Sequence, residues 1–125
     1  MKSNSGFTLL ELLLVMVIIG ILAGAVAVGV AGRGREARET RAKSDLSTYQ
    51  RMIEAYALEN NDQYPKALND LVNGKKQYVV QIKNDPWGRP YGYKTPGKNR
   101  PYDLFTAGMD GQAGTPDDIS VWSEN

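Results

Sequence analysis

Apolar residues follow two unlike patterns along this chain. From Gly6 to Gly32 they are almost continuous, and Glu11 is the only charged residue in the run. Nothing from Leu12 to Gly32 ionises; at about 1.5 Å of rise per residue, a helix of that length covers roughly 30 Å, the hydrocarbon thickness of a bilayer. From Gly34 to Glu59 the pattern becomes periodic. Ala42, Leu46, Tyr49, Ile53 and Tyr56 recur at helical spacing, one apolar stripe among Arg, Glu and Lys. The stripe lasts only about two heptads, too short for a coiled coil, and is the face that docks a small sheet. No proline interrupts Phe7 to Asn60, and Asn60-Asn61-Asp62 followed by Tyr64-Pro65 supplies the stop.

Beyond that stop the elements are short. Lys66 to Val72 predicts a brief helix with Leu68, Leu71 and Val72 inward, ended by Asn73-Gly74. Tyr91–Thr95 and Tyr102–Thr106 predict two antiparallel strands around the Pro96-Gly97-Lys98-Asn99 turn, with Ile119–Trp122 as a third. The expected class is α+β: a long N-terminal helix, half membrane-spanning and half amphipathic, packed on a small antiparallel sheet. Asp85-Pro86-Trp87-Gly88-Arg89-Pro90-Tyr91 reads as a rigid aromatic turn serving as scaffold.

Charge and composition remove several functions. The chain has 125 residues, Lys+Arg 15 against Asp+Glu 14 and a formal net charge of +1, so no bulk field points to nucleic acid. Without Cys or His it has no thiol nucleophile, no disulfide, no zinc site of the usual kind and no histidine base. A membrane-tethered enzyme is then disfavoured, since no nucleophile-elbow motif is present either. A small extracytoplasmic domain without disulfides needs another clamp.

Glu11 is expensive at the edge of a membrane-length helix and invites a functional explanation. A removable signal peptide, cut near Ala23-Gly24-Ala25 or Ala31-Gly32, and an ordinary single-pass anchor are the plain alternatives. Gly20 and Gly24 form a GxxxG pattern that Ala23, Ala27, Gly29, Ala31 and Gly32 extend, a surface that lets membrane helices approach closely. Basic residues complicate the orientation. Lys2 alone precedes the span, whereas Arg33, Arg35, Arg38 and Arg41 follow it, which by the positive-inside rule puts the body of the protein in the cytoplasm.

Gly6 followed by Phe7-Thr8-Leu9-Leu10-Glu11-Leu12-Leu13 resembles the processing site of type IV pilins and pseudopilins. That resemblance implies cleavage between Gly6 and Phe7 by a prepilin peptidase on the cytoplasmic side, N-methylation of Phe7 and survival of the anchor, and it reverses the orientation that the arginines suggest. The implied segments are a leader peptide over 1–6, a transmembrane and filament-core helix over 7–32 and a periplasmic globular domain over 33–125. In a bundle of such helices a buried Glu11 needs a cation, and the Phe7 amine of a neighbouring subunit would set register; Phe7 and Glu11 of one helix, four apart, are the internal alternative. Related pilins often carry a proline in the apolar half. Any melting of this helix during assembly would fall to Gly24, Gly29, Gly32 and Gly34.

Taken with Tyr64-Pro65, Leu68 to Val72, Asp85 to Tyr91, Tyr102-Asp103-Leu104-Phe105-Thr106 and Gly108-Met109-Asp110-Gly111, the chain is similar over nearly its whole length to the major pseudopilin family of type II secretion systems. The resemblance implies a subunit that polymerises into a periplasmic pseudopilus, aiding export of folded proteins and doing no chemistry itself. Its partners would be further copies of the chain, minor pseudopilins, the peptidase and an inner-membrane assembly platform. A surface type IV pilin is the runner-up; a longer variable region or a C-terminal disulfide would mark it, and neither is present.

One loop remains. Ala107 to Ile119 places Asp110, Asp117 and Asp118 among Gly108, Gly111, Gly114 and Pro116. Its glycines are too few for collagen, and an EF-hand is excluded by their offsets and by the absence of a closing Glu. By composition alone a solvated acidic turn is the simpler reading. The family resemblance implies instead a Ca²⁺-binding loop near the C-terminus, with Asp110, Asp117 and Asp118 ligating by side chain and Ala107, Gln112 and Thr115 by backbone carbonyl.

Overall fold

The computed structural model describes Met1 and residues 5–123. Of the leader expected over 1–6, residues 2–4, Lys2 among them, lie outside the described residues, as do 124 and 125 and the side chains of 28–31, which include part of the small-residue surface. One helix, α1, runs over Leu9–Glu59; a second, α2, covers Asp70–Asn73; three strands follow, β1 at Gly92–Lys94, β2 at Asp103–Thr106 and β3 at Ile119–Ser120. The chain divides into two compact units, 1–36 and 37–125.

In the first unit α1 is apolar on every face. Phe7, Leu9, Leu10, Leu12, Met16, Ile19, Leu22 and Val26 are all exposed in the isolated chain, which suits a helix meant for lipid or for other helices rather than for a core of its own. A Cβ added at Gly20 or Gly24 would touch nothing within 4 Å. The GxxxG face therefore has no internal packing role there. α1 contains the one stretch among the described residues long and apolar enough to cross a membrane.

In the second unit the periodic stripe becomes the core. Ala42, Leu46, Tyr49, Ile53 and Ala57 of α1 are buried; Ala57 completes the stripe, while Tyr56 lies half-buried and packs its ring on Tyr78 with centroids 5.5 Å apart. Leu46, Tyr49 and Ile53 meet Leu68, Leu71, Tyr91, Tyr102 and Leu104 in a single cluster. The helix stops where expected. Asn61 and Asp62 take the left-handed conformation (φ 55° and 59°), the N–H of Asp62 returns to the Ala57 carbonyl at 2.9 Å, and the Asn60 side-chain amide covers the Tyr56 carbonyl at 2.8 Å.

α2 is shorter than the expected Lys66–Val72. The Asp70 carboxylate accepts the N–H groups of Lys66 and Ala67 at 2.9 and 3.0 Å, holding those residues in a turn that competes with helix. Leu68 and Leu71 are buried as the pattern requires, whereas Val72 is only half-buried. The sheet has order β1-β2-β3 and is antiparallel throughout, with Tyr93 opposite Leu104 and Thr106 opposite Ile119. Each strand falls within its expected span and is trimmed at the ends. Around the β1–β2 turn the Asp103 carboxylate takes the Lys98 N–H at 3.0 Å. After β3 the Trp122 N–H turns back to the Ser120 hydroxyl at 3.2 Å. Tyr102, almost fully buried, stacks its ring at 5.3 to 6.0 Å from those of Tyr64, Tyr93 and Trp122, and the Trp122 indole N–H donates to the Tyr102 carbonyl.

Candidate functional site

Two places concentrate the residues singled out by the sequence. The first is the start of α1. Thr8 is the residue before the first helical turn, and its side-chain oxygen accepts the Glu11 N–H at 3.3 Å while the Glu11 carboxylate accepts the Thr8 N–H at 2.9 Å. This is a capping box, Thr-x-x-Glu, in which two orphan amides of a helix start are satisfied reciprocally. Glu11 therefore has a partner inside its own chain. In this uncleaved chain, where Phe7 is still joined to Gly6 and has no free amine, that partner is the Thr8 amide, and the Thr8-x-x-Glu11 spacing was the available signal. Phe7 is exposed beside it.

The second place is the C-terminal loop. Gly108, Gly111 and Gly114 all have positive φ (61°, 71° and 91°). At Gly108 the need is absolute, since an added Cβ would overlap the Asp117 carbonyl. That close approach draws the two limbs of the loop together. The Asp110 N–H donates to the Asp117 carboxylate at 3.0 Å, the Gln112 N–H to Asp110 at 2.8 Å and the Gly114 N–H to Asp118 at 2.6 Å. The Thr115 hydroxyl lies between the last two acids, 2.5 Å from an Asp117 oxygen and 3.4 Å from an Asp118 oxygen. Thr115, first of all, and then the Asp110 amide hold the Asp117 carboxyl down to about 2, below its ordinary 3.8, and the Asp110 side chain adds to the effect.

Three side chains to which the sequence gave no role in this loop, Asp85, Thr106 and Arg89, hold it to the rest of the domain. Asp85, buried, opens the Asp-Pro-Trp-Gly turn; one carboxylate oxygen accepts the N–H groups of Trp87 and Arg89 at 3.0 and 2.8 Å, and the other accepts the Thr106 hydroxyl at 2.5 Å. Thr106, fully buried at the end of β2, in turn accepts the Gly108 N–H at 3.3 Å. Arg89 donates to the carbonyls of Gly108 at 2.9 Å and Met109 at 3.3 Å. The expected scaffold turn is thus a strut for the acidic loop.

The loop offers oxygens of the kind a hard cation prefers, which takes six to eight of them at flexible positions. The carbonyls of Ala107 and Thr115 each accept one hydrogen bond, from the Gly111 and Asp118 N–H groups, and keep a second lone pair; the Gln112 carbonyl lies 3.0 Å from the Thr115 hydroxyl, whose one proton goes to Asp117. Among the described residues no three acidic side chains are gathered around one point; amide and hydroxyl donors engage the three carboxylates instead. The donor chemistry fits calcium.

Elsewhere an open groove of about 480 Å³ is lined by Asp45, Thr48, Tyr49, Tyr78, Val79, Val80, Gln81 and Lys83. It contains no residue of either place. Tyr91 reaches its edge to donate to Asp45 at 2.9 Å, and burial, followed by that bond, pushes the Tyr91 phenol far up.

Comparison with known proteins covers both places. Residues 29–122 match the family described as Type II secretion system (T2SS), protein G, and residues 1–27 match the Prokaryotic N-terminal methylation motif. Type II secretion system core protein G of Aeromonas hydrophila is 38% identical, over 98% of this chain and 94% of its own length. The protein of that name from Escherichia coli strain K12 is 37% identical over 94% of this chain and 90% of its own. In fold, the chain is similar to the crystal structure of the major pseudopilin from the type 2 secretion system of enterohaemorrhagic Escherichia coli, with TM-score 0.64 and 31% identity, covering 73% of this chain and 87% of that one.

Proposed function

The chain belongs to the protein G family of type II secretion systems, and on that premise we propose that it is the major subunit of a periplasmic pseudopilus, stored beforehand as a single-pass protein of the bacterial inner membrane. One observation carries the reading: the methylation motif and the secretion-family domain together occupy almost the full chain, and the first sits on a helix with no core of its own. A prepilin peptidase cuts between Gly6 and Phe7 and methylates the Phe7 amine. An inner-membrane assembly platform then draws the helices from lipid into a filament core shared with further copies and with minor pseudopilins. Residues 33–125 face the periplasm, and the chain works as a structural part.

Glu11 has one role before assembly and another after it. In the stored chain its carboxylate closes the capping box with Thr8. In the filament it meets the Phe7 amine of a neighbour, a charge pair favoured where water is scarce. Glu11→Gln separates the two roles, because glutamine also closes a capping box but carries no charge. The variant should be processed and membrane-inserted yet give no fibres by electron microscopy of sheared or overexpressing cells. Normal fibres from Glu11→Gln would remove the charge from the assembly step.

Calcium fits the C-terminal loop as the clamp that a disulfide supplies elsewhere. Asp110, Asp117 and Asp118 would hold it by side chain, and Ala107, Gln112 and Thr115 by backbone carbonyl. Its chemistry there is structural, since a divalent ion offsets the repulsion of three acids in one loop and ties the chain end to the sheet. Calorimetric titration of the purified chain with calcium tests this, and failure to bind would return the loop to a solvated acidic turn.

A further inference from the structure

One residue that shapes the acidic loop is itself cationic. Arg89 donates through two nitrogens of its guanidinium to consecutive carbonyls, Gly108 at 2.9 Å and Met109 at 3.3 Å. Those two peptides stand between Ala107 and Asp110, two of the proposed calcium donors. Resting on that calcium reading, we infer that Arg89 is a positioning residue for the ion: without touching it, the guanidinium fixes the backbone from which Ala107 and Asp110 present their oxygens.

The geometry around Arg89 is built for this. Its own N–H is held by the buried Asp85 carboxylate at 2.8 Å, so the side chain starts from a fixed point. Gly111 leaves room for the guanidinium, since a Cβ there would overlap it. Gly108, whose carbonyl Arg89 grips, lies against the Asp117 carbonyl and so sets the distance between the loop's two limbs. A fixed positive charge beside a divalent site also repels the ion. Solvent and salt screen that repulsion in an exposed loop, whereas the ordering supplied by two bonds of fixed geometry is not screened away. Positioning outweighs repulsion, and a lysine, which lacks the planar fork, reproduces only part of it.

The test uses the full chain in detergent micelles, stripped with chelator and titrated with calcium chloride by calorimetry well below its melting temperature. Arg89→Ala should weaken calcium binding about tenfold or more, as is typical when a group that orients a ligand is removed, and Arg89→Lys should fall between that variant and the parent. A merely structural role would lower the melting temperature in chelator and leave the calcium Kd of the folded chain unchanged. Equal or tighter binding by Arg89→Ala overturns the inference while leaving the calcium reading intact. Should near-UV circular dichroism show Arg89→Ala unfolded, Arg89→Lys decides the matter, and a parental Kd for it counts against the positioning role. If the parent chain itself takes up no calcium, the calcium reading falls and this inference with it.

Discussion

Asp85 offers the sharpest test of how the domain is held together. Its carboxylate is buried and accepts three hydrogen bonds, from Trp87 N–H, Arg89 N–H and the Thr106 hydroxyl. Hydrogen bonds to charged groups contribute about 1.5–3 kcal/mol each, and a buried donor left without a partner costs about 1–3 kcal/mol. The three bonds share one group and do not add in full, so Asp85→Ala should lose about 3–5 kcal/mol. Asp85→Asn keeps an acceptor for the two amides and points an NH₂ at Thr106, whose hydroxyl turns to accept; that variant should lose only about 1–2 kcal/mol. For a domain of this size 1 kcal/mol corresponds to about 4–8 °C, which puts Asp85→Asn roughly 5–15 °C below the parent. Thermal melting of the full chain in micelles, followed by near-UV circular dichroism of Trp87 and Trp122, reads both. Thr106→Val, alone and combined with Asp85→Asn, completes a double-mutant cycle whose coupling should be about 1–2 kcal/mol. Asp85→Ala melting within about 2 °C of the parent, or Asp85→Asn melting as low as Asp85→Ala, would refute the assignment of Asp85 as the keystone of the turn.

Gly6→Ala should block maturation, and mass spectrometry showing an efficiently produced chain beginning at Phe7 would contradict the processing site. Asp117→Ala combined with Asp118→Ala should lower the melting temperature somewhat in chelator, through the hydrogen bonds the two carboxylates accept, and by clearly more in calcium, because ligand binding to the folded state contributes about 2.7 kcal/mol at a hundredfold excess over Kd; an equal drop in both buffers would mean the loop holds no metal. In chelator, acid should loosen the loop late. A carboxyl held at about 2 instead of 3.8 favours the folded loop at higher pH, and that contribution fades as pH falls from about 4 toward 2. An NMR titration of Asp117 with its midpoint at or above 3.8 would contradict the hydrogen bonds assigned to it.

Periodicity made the helical half of this chain legible and left the loops largely unread. Ala42, Leu46, Tyr49 and Ile53 are buried because burial on a helix repeats every three to four residues, a signal local to the sequence. Strand positions were also visible, since Leu104 and Thr106 alternate inward along β2. Asp85 was read as a turn-former ahead of Pro86. Its decisive partner, Thr106, is 21 residues away, and no local pattern announces such a pair. The same holds for Arg89, which grips carbonyls 19 and 20 residues on. Thr8 is the opposite case, because its capping-box spacing to Glu11, three residues on, lies in plain view in the sequence.

The two acids of this chain divide the work by length. Among the described residues every glutamate lies on α1, and from Asp70 onward every acid is an aspartate. Each of those six, Asp70, Asp85, Asp103, Asp110, Asp117 and Asp118, accepts a backbone N–H. The strands are too short to tie up many amides through ladders, and without cysteine no covalent staple fixes the intervening loops. A carboxylate on one methylene reaches an amide a few residues away while freezing few rotors, which is why such groups favour turns over helix interiors. Glutamate would add a methylene, overshoot the same amides and order more side chain for the same bond. The aspartates are therefore fasteners as well as charges, and a calcium ion in the last loop would compete with amide and hydroxyl donors for three carboxylates that, without it, are not gathered around one point.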